Sequence, residues 1–253
     1  MNQVLTLEII RCQLKERCAN TILGILWIVL HPFITFIILY MVFSQLRGMK
    51  GDHAYFAAKL IMAIFVFSYI REGIINGSMA IVKSGPLIGR IRIEKLVLIN
   101  ASMSLALFNF VIPFVLAFGY FAYLGSLHYT WQSILYFFYI MFVATALVYG
   151  VCLIMNIVTV VIRDTIPALQ LGFVGLFWVS GVFYDIQGVT GALRTFVYAN
   201  PIAVILDSVK GAIVMGEIQN LHLMLIWGGV SLILALVTRV IFRKLADYLV
   251  DYL

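Results

Sequence analysis

The chain is built from long uncharged apolar blocks separated by short polar segments. The first block, residues 21–44, contains no Asp, Glu, Lys or Arg. A helix needs about 20 such residues to cross the roughly 30 Å hydrocarbon core of a bilayer. The apolar residues fill whole blocks and do not alternate with polar ones, so they do not mark single faces. We therefore predict an all-α membrane protein with a single transmembrane domain, residues 1–253.

Six membrane spans are predicted from these blocks, and both termini are placed in the cytoplasm. Eleven of the 17 Lys and Arg residues fall in segments on the side of the N-terminus and five on the other side. Such an excess marks the cytoplasmic side of a membrane protein. The second span is interrupted by Arg71 and Glu72. The predicted spans are 21–44, 56–80, 96–124, 131–162, 166–184 and 221–241.

The N-terminal segment, residues 1–20, predicts an amphipathic helix lying in the membrane interface and contacting lipid. Its apolar residues recur at steps of three and four, opposite charged ones. The alternative is a cytoplasmic extension of the first span. Charges occur along the whole segment, so no cleavable signal peptide is expected. The apolar stripe consists of Val4, Leu7, Ile10, Leu14 and Cys18.

The outer connection 185–220 is unusually apolar and predicts two re-entrant half-helices between spans five and six. Gly188, Gly191, Asn200-Pro201 and Gly211 divide it into pieces too short to cross. The half-helices are predicted at 192–198 and 202–215. Re-entrant backbone requires protein or water around its ends. An ordinary amphipathic surface helix is the alternative.

Composition agrees with a membrane bundle, at 64% apolar and 11% charged residues. Soluble domains average roughly 45–50% apolar and about 25% charged residues. The net charge of +6 is attributed to cytoplasmic loops facing anionic lipid, and no nucleic-acid partner is expected. The three scattered cysteines suggest neither a disulfide framework nor a metal site.

Sequence motifs for ATP binding or catalysis are missing. The phosphate-binding pattern G-x-x-x-x-G-K-[ST] does not occur, and residues 85–90 lack its Lys-Ser/Thr pair. There is no HExxH motif and no paired carboxylates. We therefore expect a transport subunit that is not an enzyme and has no cofactor of its own. Any ATP hydrolysis would belong to another chain.

Four short motifs, in order along nearly the whole chain, resemble the membrane subunit of ABC-2-type polysaccharide exporters. This family moves O-antigen, teichoic acid and capsule chains. Departures from its pattern are His31, Arg71-Glu72 and Pro167. The motifs are Thr21-Ile22-Leu23-Gly24-Ile25-Leu26-Trp27 with His31-Pro32, Val161-Ile162-Arg163-Asp164, Phe177-Trp178 through Val182-Phe183-Tyr184, and Tyr198-Ala199-Asn200-Pro201.

The resemblance implies a homodimer in the inner (cytoplasmic) membrane, bound to two copies of a separate ATPase that uses ATP and Mg. It also implies a channel at the dimer interface for a lipid-linked glycan, as in O-antigen export for lipopolysaccharide biosynthesis. Alternatives are a drug or small-lipid exporter of the same superfamily and, less favoured, an ion-coupled transporter. An ion-coupled transporter usually shows inverted repeats and midplane ionisable residues.

Two aromatic stripes are candidate channel surfaces, because aromatic rings stack on the C–H faces of sugars without fixing one sugar sequence. Packing within the protein is the alternative explanation. Arg71 and Glu72 point about 100° apart on a helix, so each needs another partner or water. We expect at least one to face the channel or bond a neighbouring span; otherwise the span begins later. The candidate channel residues are Phe33, Phe36, Tyr40, Phe43, Arg71, Glu72, Phe173, Phe177 and Tyr184.

The basic cytoplasmic segment 81–95 is a candidate coupling loop that docks on the ATPase. Its cations could pair with acidic ATPase residues or with a pyrophosphate head group. The alternative is simple retention of positive charge on the cytoplasmic side. The candidate coupling residues are Lys83, Gly85, Pro86, Arg90 and Arg92.

Overall fold

The computed structural model describes residues 8–11, 26–46, 53–85, 94–246 and 248. Within those ranges the regular structure is helical, as predicted. A short 3-10 turn covers Ile186–Gly188, and a π-helical stretch, Gly211–Met215, extends α8. The helices are α1 (Leu26–Leu46), α2 (His53–Ser78), α3 (Ala80–Lys83), α4 (Lys95–Tyr123), α5 (Trp131–Val161), α6 (Thr165–Val179), α7 (Ala192–Ala199), α8 (Pro201–Lys210) and α9 (Leu221–Leu245).

Four described helices, α2, α4, α5 and α9, are long and apolar enough to cross a membrane. The pair formed by α7 and the extended α8 is a fifth candidate, bent by 83° at Asn200. Shorter apolar runs cover Leu30–Ser44 in α1 and Thr165–Val179 in α6. The membrane-spanning character is therefore confirmed, while the count of six spans stays a prediction.

Helix α2 is the centre of the bundle. It contacts α1, α4, α5, α6 and α8. In an apolar stretch of 18 residues of α2, 72% is buried within the protein, against 22% in the corresponding stretch of α9. Glycines allow the close approach of α5: a Cβ at Gly73 would meet Val148, and one at Gly77 would meet Cys152. Small residues play this part in membrane helix packing, where van der Waals contact replaces the hydrophobic effect.

Local signals explain where several helices begin. A reciprocal capping box starts α5, with the Ser133 amide donating to Thr130 Oγ1 at 3.2 Å and the Thr130 amide to Ser133 Oγ at 2.9 Å. Helix α8 begins with Pro201 in its first turn, and its Asn200 cap accepts from the Ile202 amide at 3.0 Å.

The two predicted half-helices coincide with α7 and the extended α8, within a residue or so at each end. They differ in environment. Residues 202–214 are buried, and α8 contacts α2, α5 and α9, whereas Leu193 and Phe196 of α7 are exposed. The second half-helix is thus enclosed by the bundle, which is the environment that re-entrant backbone requires.

The fifth apolar helix ends earlier than its predicted boundary at residue 184. α6 stops at Val179, and Gly181 adopts a φ of +69°. Glycine takes this left-handed conformation readily, so the chain turns there and does not continue the helix. The apolar residues 182–184 that extended the prediction belong to this turn.

The predicted interface helix lies mostly outside the described residues. Residues 8–11 are helical, and Arg11 pairs with Glu8 at 2.9 Å, with both side chains exposed. The interface location of residues 1–20 stays a prediction.

Candidate functional site

The aromatic stripe of α1 lies against α2 of the same chain. Phe33 meets Phe65 edge-on at 5.4 Å between ring centroids, and Tyr40 stacks with Phe56 at 6.5 Å and with Phe36 at 5.7 Å. The three α1 rings are partly buried, whereas Phe56 and Phe65 of α2 are buried. The opposite face of α1 is aliphatic and exposed, with Ile34, Ile37, Ile38, Met41 and Val42.

The aromatic residues of α6 also contact α2. Phe173 and Phe177 meet the same ring, Phe67, edge-on at 6.1 and 5.2 Å. Phe173 is buried and Phe177 is half-buried. Tyr184 does not contact Phe67; its ring meets Phe183 edge-on at 5.3 Å, and its hydroxyl donates to the Val179 carbonyl at 2.7 Å. It therefore supports the turn after α6.

Two residues that were not candidates join the predicted stripes into one aromatic row. Phe177 contacts Trp178 at 5.9 Å, Trp178 contacts Phe183 at 5.3 Å, and Phe183 stacks on Phe43 at 4.6 Å. We call Phe67, Phe177, Trp178, Phe183 and Phe43 the aromatic row. Trp178 is 53% exposed. The row runs from the bundle centre to the surface between α1 and α6; its contact with a glycan stays a prediction.

The charged pair of α2 includes one residue that bonds a neighbouring helix. Asn109 Nδ2 of α4 donates to Glu72 Oε2 at 3.1 Å. This contact confirms that at least one of the pair bonds a neighbouring span. Arg71 and Glu72 are both half-buried within α2. Helix α2 begins at His53 and includes both residues; whether the membrane boundary leaves them at an interface stays a prediction.

A cluster of four charged residues fastens α8 and the segment after α6 to α2. Asp185 lies between two lysines, with Oδ2 at 3.0 Å from Lys59 Nζ and Oδ1 at 3.2 Å from Lys210 Nζ. Lys210 Nζ also lies 3.5 Å from Asp207 Oδ1 and donates to the carbonyls of Gly181 and Tyr184 at 3.0 and 2.7 Å. We call Lys59, Asp185, Asp207 and Lys210 the α8 charge cluster.

Asp207 completes the cluster from within the buried helix α8. Its Oδ1 accepts from the Ile186 amide at 3.3 Å and its Oδ2 from Asn220 Nδ2 at 3.0 Å. Two lysines and two carboxylates balance in charge, which favours the burial of Lys59, Asp207 and Lys210, while Asp185 is half-exposed. Sequence reasoning missed this cluster, although Asp207 and Lys210 stand three apart in an otherwise apolar half-helix.

Asp185 lies in the connecting segment, outside the membrane-spanning helices. Partial burial acts to raise the pKa of its carboxyl group, but the charges of Lys210 and Lys59 and their hydrogen bonds have the larger combined effect. The pKa of Asp185 therefore lies below its ordinary value. The carboxylate is ionised at neutral pH and contributes to the cluster there.

Part of the candidate coupling loop is described. Lys83 is exposed at the end of α3, which buries Ala80 and Ile81 and contacts α4 and α5. Gly85 follows, where an added Cβ would meet nothing within 4 Å. Pro86, Arg90 and Arg92 lie outside the described residues. The coupling role of all five stays a prediction.

Comparison with known proteins identifies the family. A search of curated proteins found no significant match. Residues 5–214 match the family model described as ABC-2 type transporter. This segment is well over half of the 253 residues and contains α1 to α8. The chain belongs to the ABC-2 type transporter family and is the membrane component of an ABC transporter.

Proposed function

We propose that this chain is the transmembrane subunit of an ATP-driven exporter that moves a lipid-linked polysaccharide, of O-antigen type, across the inner membrane. The observation that carries the proposal is the aromatic row. It contains no charged group, and it leads from buried Phe67 to Trp178 at the surface between α1 and α6. Rings offer apolar faces and extended contact area, which suits a sugar chain that slides past.

A homodimer would place two aromatic rows opposite one another. On α6, beside Trp178, an added Cβ at Gly172 or Gly175 would meet nothing within 4 Å. Small residues on an open helix face allow a second helix to approach closely. Two copies meeting here would enclose a path lined by aromatic rings.

ATP hydrolysis belongs to a separate ATPase, of which two copies would bind the dimer on the cytoplasmic side. The family membership supports such a partner, and the sequence has no phosphate-binding loop of its own. We assign the docking to segment 81–95, with Lys83, Gly85, Pro86, Arg90 and Arg92. ATP and Mg are then bound by the partner, and both termini of this chain lie in the cytoplasm.

The test is reconstitution of this chain with its partner ATPase in proteoliposomes. We expect lipid-linked glycan to stimulate ATP hydrolysis and to become accessible to a glycosidase on the opposite side. In cells, deletion of the chain should abolish the surface polymer and leave the glycan in the cytoplasm. If hydrophobic drugs or small lipids stimulate the complex and glycans do not, the drug-exporter alternative replaces this proposal.

A further inference from the structure

A polar cleft lies between α1, α2 and α4, inside the part of the bundle that is otherwise apolar. It is open on one side, and its internal volume of about 10 Å³ leaves room for one water-sized group. Its polar lining comes from Ser68, Tyr69 and Glu72 of α2 and Asn109 of α4. Pro32 of α1 and Pro113 of α4 also line it. An ionisable residue at such a position is a functional candidate in a membrane protein.

Asn109, which lines this cleft, has a side-chain oxygen without a partner. Its Nδ2 group donates to Glu72, so the amide is oriented, and its Oδ1 atom is buried without a hydrogen bond. The residue as a whole is 7% exposed. Buried polar atoms are nearly always paired, so an orphaned acceptor beside a carboxylate indicates a missing positive or donating group.

The proline of α4 removes the usual helical donor of a second acceptor at the same residue. Pro113 lies inside α4 and has no N–H, so it cannot donate to the carbonyl of Asn109 four residues earlier. The Asn109 carbonyl therefore lacks its usual helical donor, and the Oδ1 atom of the same residue is unpaired. Oxygen atoms of carboxylate, amide and carbonyl groups are the ligands that hard cations prefer.

The charge at the cleft selects the class of cation. Within the described ranges no Lys, Arg or His side chain forms an ion pair with Glu72, and no group of three or more His, Cys, Asp or Glu gathers there to hold a metal. Arg71, the neighbouring residue of α2, points about 100° away around the helix, so the carboxylate itself is balanced by one further positive charge in low-dielectric surroundings. A divalent ion would leave an excess charge of the opposite sign.

We propose that the cleft binds one monovalent alkali cation, held by the Glu72 carboxylate and Asn109 oxygens with the Ser68 hydroxyl nearby. The bound ion links α2 to α4 beside Pro32, and so fixes the position of α1 on the bundle. The site is separate from the aromatic row. The inference does not depend on the identity of the exported substrate.

The test is thermal unfolding of the purified full-length chain in lipid nanodiscs. Sodium or potassium chloride is compared with choline chloride at equal ionic strength, because choline is too large for the cleft. We expect the midpoint temperature to rise with the logarithm of the alkali-ion concentration and not with choline, as for a ligand that binds only the folded state. Glu72→Gln should abolish this shift.

Glu217→Gln is the matched control, since Glu217 is an exposed carboxylate that also accepts from an amide, Gln219 Nε2 at 2.9 Å. It should keep the full shift. Binding of radioactive sodium to the wild-type protein provides a measurement that needs no variant. The proposal is overturned if that binding is not saturable, if choline stabilises equally, or if Glu72→Gln keeps the shift. Stabilisation by acid alone, without an alkali-ion effect, also overturns it.

Discussion

Lys59 and Asp185, 126 residues apart in the chain, are joined by an ion pair of 3.0 Å between Nζ and Oδ2. Lys59 belongs to the first turns of α2, and Asp185 follows the turn after α6. The same carboxylate reaches Lys210 of α8. One side chain therefore connects three parts of the fold.

Replacing Lys210 with Met should strongly destabilise the protein. Lys210 is almost fully buried, and its loss leaves Asp207 buried without its cation. Breaking a buried ion pair from one side costs roughly 3–5 kcal/mol. The measurement is the midpoint of thermal unfolding in nanodiscs. Adding Asp207→Asn should recover part of the loss.

Arg194→Met is the control for this substitution. Arg194 is an exposed cation on α7 that lies over the Tyr198 ring at 5.5 Å. Its removal should change stability by about 1 kcal/mol or less. Equal losses for Lys210→Met and Arg194→Met would contradict the structural role of the α8 charge cluster.

Acid should weaken the attachment made by Asp185. Because its pKa is lowered from the ordinary 3.8, the ionised carboxylate stabilises the folded state above that value. The contribution is lost as the pH falls through the lowered pKa. Asp185→Asn should therefore be less stable than wild type at pH 7, with the difference shrinking below about pH 4. A difference that is constant from pH 7 to pH 3 would contradict this assignment.

The contact between α2 and α5 predicts a size-compensating pair. Gly77→Ala places a Cβ against Cys152 Sγ, and overpacking of this kind costs about 1–3 kcal/mol. Cys152→Ala should rescue it, because the remaining Cβ lies 3.4 Å away, an ordinary contact. Unfolding of both single variants and the double variant measures the coupling.

Gly119→Ala on α4 supplies the control, since an added Cβ there meets nothing within 4 Å. It should be neutral or slightly stabilising, because Ala favours a helix over Gly by about 1 kcal/mol. Additive effects of Gly77→Ala and Cys152→Ala would show that the two side chains do not meet.

The span positions were predictable because the length of an uncharged block is a one-dimensional property. α4 and α5 begin and end within about one residue of their predicted bounds. The end of α6 was not predictable in this way, because it depends on the positive φ of Gly181, which the apolar content of the segment does not indicate. The α8 charge cluster escaped prediction for a similar reason: Lys59 and Asp185 meet only after α2 and α6 have packed.

The aromatic contacts were also only partly predictable from the sequence. Periodicity placed Phe33, Phe36, Tyr40 and Phe43 on one face of α1, and the structure keeps them there. Periodicity did not indicate which helix that face of α1 contacts. Phe183 joins Phe43 to Trp178 from outside any helix, so no helical spacing could include it.

Topology is testable with single cysteines in a background where Cys12 and Cys18 are Ser and buried Cys152 is kept. Cysteines at Tyr129 and Gln187, which are exposed positions in predicted outer connections, should react with an impermeant reagent in intact cells. A cysteine at Arg243, exposed at the end of α9, should react only after lysis. Labelling of position 243 in intact cells would overturn the orientation.

The aromatic row predicts that leucine cannot replace Trp178 or Phe43 in transport. Leucine keeps apolar bulk but cannot stack on a sugar, so glycan export should fall by an order of magnitude or more in the double variant. The Phe43 ring also packs on Phe183 at 4.6 Å, and an aromatic pair contributes about 0.5–1.5 kcal/mol beyond its buried area. Dimer and ATPase assembly, measured by co-purification, should therefore survive a modest loss of stability.

Phe138→Leu separates the two roles of these rings. Phe138 is an exposed ring of α5, 65% accessible, which meets Phe137 edge-on as Trp178 meets Phe177, but it lies outside the aromatic row. Its replacement should leave export unchanged. If the Trp178 and Phe43 leucine variant exports at the wild-type rate, the row is packing and the sugar-contact role is wrong. If Phe138→Leu lowers export equally, the effect comes from general loss of aromatic surface, and the row has no special part in passage.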